Sequence, residues 1–108
     1  MFTFFFINSK LSDDGWFNAG SIYYRKKNGF VIIDFTHICD SYSLNTWNTI
    51  VVFDNNYYLP IRDMYETISC GEHANEICTV RVTKDGKIQL YQTKNHTYYW
   101  GKLIFIAK

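Results

Sequence analysis

Apolar and polar residues alternate with period two along much of this chain, and no window repeats apolar residues at the three-four spacing of an amphipathic helix longer than two turns. β-Branched and aromatic residues are abundant and polar interruptions are short, which predicts an all-β fold. The clearest element is a hairpin about Asn28-Gly29, flanked by Ser21–Lys27 and Phe30–Thr36. Asn and Gly accept the positive φ of a type I′ turn, so a two-residue loop pairs 27 with 30, 24 with 33 and 22 with 35. That register places Ile22, Tyr24, Val31, Ile33 and Phe35 on one face, as a core stripe. Tyr23, Arg25, Lys27, Ile32 and Asp34 fall on the other.

A second hairpin surrounds Asp85-Gly86. A two-residue loop here would mix polar and apolar residues on both faces. A three-residue loop, Lys84-Asp85-Gly86, pairs Val82 with Ile88, Val80 with Leu90 and Arg81 with Gln89, and segregates them. The expected geometry is a type I turn followed by a left-handed bulge at Gly86. Trp47–Phe53 and Tyr65–Cys70 are further strand candidates, whereas Asp54–Asp63 and Gly71–Glu76 read as loops. The closing segment, Tyr98–Ala107, is apolar on both faces: Leu103, Phe105 and Ala107 on one, Ile104 and Ile106 on the other. Such a strand is expected to be central between layers or pressed against another subunit. The N-terminal run Phe2–Ile7 also reads as a strand. Together these predict one antiparallel β-sandwich domain over 1–108, jelly-roll-like, with about seven or eight short strands.

Composition narrows the function classes. The 108 residues form one domain's length and carry nine Tyr, nine Phe and three Trp. A small core cannot easily hold so many rings, so some are expected on the surface or at a subunit contact. The net charge is +1 and the only basic cluster is Arg25-Lys26-Lys27, so nucleic acid is not the expected partner. No apolar run reaches the roughly 20 residues of a membrane-spanning helix, and Phe2–Ile7 is too short for a secretory signal, with no basic region before it. Cys39, Cys70 and Cys78 are odd in number and read as reduced thiols used as small hydrophobes. The sequon Asn95-His96-Thr97 matters only on a secretory route.

Three kinds of chemistry can be weighed. His37-Ile38-Cys39, Cys70-Gly71-Glu72-His73 and Cys78 hold metal-ligating atoms, but without a Cys-x-x-Cys pair, and buried thiols beside surface histidines account for them; no metal or cofactor is expected. Nucleophile elbows, zinc-protease signatures and phosphate-cradling glycine loops are lacking, which argues against an enzyme. The third is an aromatic binding surface. Tyr57-Tyr58 adjoin Asn55 and Asn56, Trp47 lies near Asn45 and Asn48, and Tyr98-Tyr99-Trp100 follow Asn95 and His96. Rings stack on sugar rings while neighbouring amides and carboxylates bond hydroxyls, although within a strand one of each tandem pair faces the core.

A Trp upstream of the run Gly20-Ser21-Ile22-Tyr23-Tyr24-Arg25-Lys26-Lys27-Asn28-Gly29-Phe30-Val31-Ile32-Ile33, then Val80-Arg81-Val82-Thr83-Lys84-Asp85-Gly86-Lys87-Ile88, then Tyr98-Tyr99-Trp100-Gly101, resembles in order and spacing a module that terminates many tail-fibre, minor tail and baseplate proteins of siphophages and prophages of Gram-positive bacteria. The likeness spans about residues 16–106. The central loop, Phe53–Pro60, departs from the pattern: it lacks a first proline and an arginine and is one residue longer. What the resemblance implies is a β-sandwich, typically a homotrimer, at the distal end of a virion tail appendage assembled in the bacterial cytoplasm. It would bind a cell-surface saccharide without catalysis and contact other tail or baseplate proteins. A purely structural trimerisation module and an accessory domain of a cell-wall hydrolase are the alternatives. On this reading Trp47, Tyr57 and Tyr58 supply the stacking rings, and Asp54, Asn55 and Asn56 the polar partners.

Overall fold

The structure, a computed structural model, describes residues 13–19, 22–35, 42–53, 56–95 and 98–108, and the backbone of 38–39. The strand expected at Phe2–Ile7, the site residues Asp54 and Asn55, and His37 and His96 lie outside the described residues. Among the described residues ten strands follow one another: β1 (Phe17–Ala19), β2 (Ile22–Lys27), β3 (Phe30–Asp34), β4 (Ile38–Cys39), β5 (Trp47–Val52), β6 (Met64–Cys70), β7 (Glu76–Val82), β8 (Lys87–Tyr91), β9 (Tyr98–Trp100) and β10 (Lys102–Ile106). The excess over the expected seven or eight comes from β1, β4 and β9, whose two or three residues are too few to show an alternation.

The strands form two antiparallel sheets, β1-β2-β3-β10 and β4-β9-β6-β7-β8-β5, packed as a β-sandwich. Both hairpins adopt the expected register. Lys27 pairs with Phe30 and Tyr24 with Ile33, with Asn28 at φ +54° and Gly29 at φ +85° in the turn. Ile22, Val31, Ile33 and Phe35 are consequently fully buried, and Tyr24 packs against them. In the second hairpin Val82 pairs with Ile88, Arg81 with Gln89 and Val80 with Leu90. The Gly86 N–H donates to the Thr83 carbonyl at 2.8 Å, and Gly86 itself sits at φ +95°. The Gly86 carbonyl then accepts the Phe53 N–H at 2.9 Å, which anchors the end of β5 to this turn.

The closing segment differs from its expected form. Gly101 divides it: β9 joins the six-stranded sheet and β10 becomes an edge of the four-stranded one. Leu103 and Phe105 point into the core, but Ile104 and Ile106 are 55% and 60% exposed. Both faces are apolar in sequence, yet only the inner one is covered, because no described element lies over the outer side of the four-stranded sheet.

The core lies between Val31, Ile33, Leu103 and Phe105 of one sheet and Ile68, Val80, Val82, Ile88 and Leu90 of the other. Each such side chain contributes about 1.5–3 kcal/mol on burial. Cys70 and Cys78 are free and buried within it. Burial pushes both thiols up from their ordinary value, which keeps them protonated. The buried Tyr99 hydroxyl donates to Gln92 Oε1, and Gln92 Nε2 donates to the Tyr42 carbonyl at 2.8 Å.

Candidate functional site

Alternation along β5, β8, β7 and β6 sends every second side chain out of the six-stranded sheet. Register stacks these into two rows. One row is Trp47, Tyr91, Thr79 and Thr67; the next is Thr49, Gln89, Arg81 and Tyr65. The result is an open face of three rings, three threonines, one amide and one guanidinium. A strand interior made of Thr, Tyr and Trp is both good β-former and good surface for a polar ligand with apolar edges.

Arg81 ties the face together. It rises from β7, and its guanidinium reaches over the Trp47 ring at 4.0 Å and lies 6.0 Å from the Tyr65 ring. Its Nε donates to Gln89 Oε1 at 2.6 Å, and Nη1 reaches the Tyr65 hydroxyl at 3.5 Å. Gln89 is buried and fixed in turn, its Nε2 donating to Thr49 Oγ1 at 2.9 Å. Tyr65 stands edge-on to Trp47 with centroids 6.1 Å apart, and Tyr91 flanks Trp47 on another side at 5.4 Å. Tyr65 is 55% exposed, which leaves it the most accessible ring of the group.

Trp47 owes its position to Asn48. The Asn48 Oδ1 accepts the Ser43 N–H at 3.0 Å, while its Nδ2 donates to the carbonyls of Ser43, Thr46 and Leu90 at 3.0–3.2 Å. This amide brackets the turn leading into β5 and is therefore spent on backbone. Asn45, in the same turn at φ +56°, is exposed and donates its N–H to the Gln92 carbonyl at 2.8 Å. Farther along the sheet Tyr98 and Trp100 stack with centroids 5.9 Å apart, on the same side as Ser69, which pairs with Trp100.

The other expected site residues sit elsewhere. Asn56, Tyr57 and Tyr58 form a 3-10 turn, near the Phe53 end of β5 rather than the Trp47 end. Tyr58 is only 8% exposed, enclosed by Tyr24, Phe53 and Tyr57, and its hydroxyl donates to Asp14 Oδ2 at 2.6 Å. That ring is core and offers no face for stacking. Tyr57 is 43% exposed, but Lys26 Nζ lies 4.0 Å from its ring centroid and donates to its carbonyl at 3.0 Å. Asn56 is exposed and its carbonyl accepts the Leu59 N–H at 3.4 Å. Trp47 is thus separated from Tyr57 by the length of β5. The hairpin register pairs Arg81 with Gln89, but the sequence reading assigns neither of them to a site. The signal was in the odd positions of the second hairpin, where Thr79, Arg81, Gln89 and Tyr91 combine large planar groups with hydrogen-bonding ones.

No known protein family, curated protein or solved structure matches this chain.

Proposed function

We propose that this chain is a non-enzymatic saccharide-binding module, serving as an adhesin at the distal end of a phage or prophage tail appendage. The observation that carries the binding part is the open Trp47–Arg81–Tyr65–Tyr91 face, whose rings and hydrogen-bonding groups are fixed before any ligand arrives. Preset rings stack on sugar faces with little ordering cost, and threonine, amide and guanidinium groups bond hydroxyls. The tail context rests on the resemblance of the two hairpins and the closing aromatic strand to tail modules. Three copies on one appendage would strengthen a weak single site.

The test is calorimetric titration of the full chain with wall polysaccharide from Gram-positive cells. Tyr65→Ala, an exposed position, is expected to fold normally and to weaken binding about tenfold, roughly 1.4 kcal/mol. Unchanged affinity in Tyr65→Ala together with a loss in Tyr57→Ala would move the ligand to the 3-10 turn. A second reading, a structural trimerisation module of a tail or baseplate protein, is favoured by one observation. The outer side of the four-stranded sheet exposes Phe30, Ile104 and Ile106 beside Ile61. Both roles fit one chain, since the two surfaces lie on opposite sides of the sandwich.

A further inference from the structure

We infer that the saccharide taken by the Trp47–Arg81 face is anionic, with a phosphodiester or carboxylate seated on the Arg81 guanidinium; this rests on the saccharide-binding reading above. Two arginines lie over tryptophans in this fold. Arg25 lies 5.1 Å from the Trp16 ring centroid and is neutralised by Asp13, which takes its Nε at 3.0 Å and its Nη2 as well. Arg81 is held too, but among the described residues by neutral groups: the Trp47 ring, the Gln89 amide and the Tyr65 hydroxyl. Among the described residues no carboxylate pairs with it.

The surroundings do not supply a counter-charge either. The eight positions of the two rows contain no Asp or Glu. Asp63 and Asp85 lie beyond the row of Arg81 and bond away from it: Asp63 Oδ1 accepts the Lys84 backbone N–H at 2.8 Å, and Asp85 accepts from the Thr83 hydroxyl and lies 4.0 Å from Lys87 Nζ. A guanidinium has five N–H donors in a planar fork. Here Nε–H and one Nη1–H are directed at protein, and among the described residues the remaining donors have no protein acceptor. A held, half-buried cation with donors left over matches the two-oxygen geometry of a phosphate or carboxylate, and ring stacking leaves that fork in place. For a neutral sugar an amide would supply the same hydroxyl contacts without a charge to desolvate.

The experiment titrates the full chain with one Gram-positive wall polysaccharide in three forms: intact, cleared of phosphodiesters by hydrofluoric acid, and carboxyl-reduced. Removal of the relevant anion is expected to weaken binding at least tenfold, and which treatment does so identifies the group. Arg81→Gln should bind the intact polymer about as weakly as wild type binds the neutralised one, and Arg81→Lys should recover part of the loss. Wild type binding all three forms alike, while Tyr65→Ala weakens each, would overturn the anion and leave the saccharide reading standing. No binding to any form overturns both. The polymer comparison on wild type decides the matter even if Arg81→Gln does not fold.

Discussion

At the scale of single residues, Tyr58 shows how a ring that reads as surface becomes core. Its neighbours Asn55 and Asn56 are polar, and tandem tyrosines in a loop look accessible. The 3-10 turn instead drives one ring of the pair inward against Tyr24 and Phe53, with its hydroxyl reaching Asp14. Asp14 Oδ1 also accepts the Lys26 N–H at 2.7 Å, so this bond links the segment before β1 to β2 and to the turn. Tyr58→Phe is expected to lower stability by about 1–2 kcal/mol in urea titration, since a carboxylate loses a bonded partner. Burial first, and then the Asp14 bond and charge, push the Tyr58 phenol well above its ordinary 10.0, and burial does the same to Tyr99 and to the Cys78 thiol above 9.0. These groups keep their protons in the fold at pH values where the unfolded chain releases them. Their contribution is therefore complete below pH 9 and declines as pH rises beyond 9–10. Stability measured from pH 8 to 11 should fall over that range, with a shallower slope in Tyr58→Phe.

At the scale of elements, turn chemistry was readable and pairing between distant strands was not. Asn28-Gly29 and Asp85-Gly86 announce hairpins because their positive φ is a local demand, and the apolar faces then fix the register. The closing segment misleads for the opposite reason. Its alternation is genuine, but nothing local states that Gly101 hands the chain from one sheet to the other. The candidate site was half legible. Trp47 was named, and Arg81 opposite Gln89 follows from hairpin register. Bringing them together requires β5 to lie beside β8, a pairing across about forty residues that no turn encodes. Gly86 offers the sharpest test at this scale. A Cβ there would lie 2.8 Å from Leu59 Cδ2 and 3.2 Å from the Phe53 carbonyl oxygen, at a φ that L-residues avoid. Gly86→Ala is expected to destabilise by about 1–3 kcal/mol in chemical denaturation, through strain in the bulge and a displaced Phe53 contact.

At the scale of the whole molecule, the sandwich presents two unlike outer faces. The six-stranded sheet shows rings interleaved with polar groups. The four-stranded sheet shows Phe30, Ile104 and Ile106, continuous with a groove of about 360 Å³ whose walls include Ile61, Met64 and Phe105. Contiguous exposed apolar surface of this kind marks contact sites in soluble proteins. If the assembly reading holds, multi-angle light scattering of the wild type gives the mass of a trimer, and Ile104→Lys gives that of a monomer. The substitution faces solvent within the chain, so it should change the stability of the single fold by less than about 0.5 kcal/mol. A monomeric wild type would discard trimerisation and leave the saccharide face unaffected.

The central position of β7 has a consequence for how a ligand is met. β7 is paired with β6 along its whole length and with β8 from Thr79 to Val82, and Arg81 is rooted in that doubly paired stretch. Backbone held on both sides opens only with the cooperative unit around it, so its amides belong to the slowest class of hydrogen exchange. The guanidinium therefore starts from a foundation that has no slack to take up. A ligand arriving at this face meets a finished surface, and its residence there is governed by departure rather than by any prior rearrangement of the sheet.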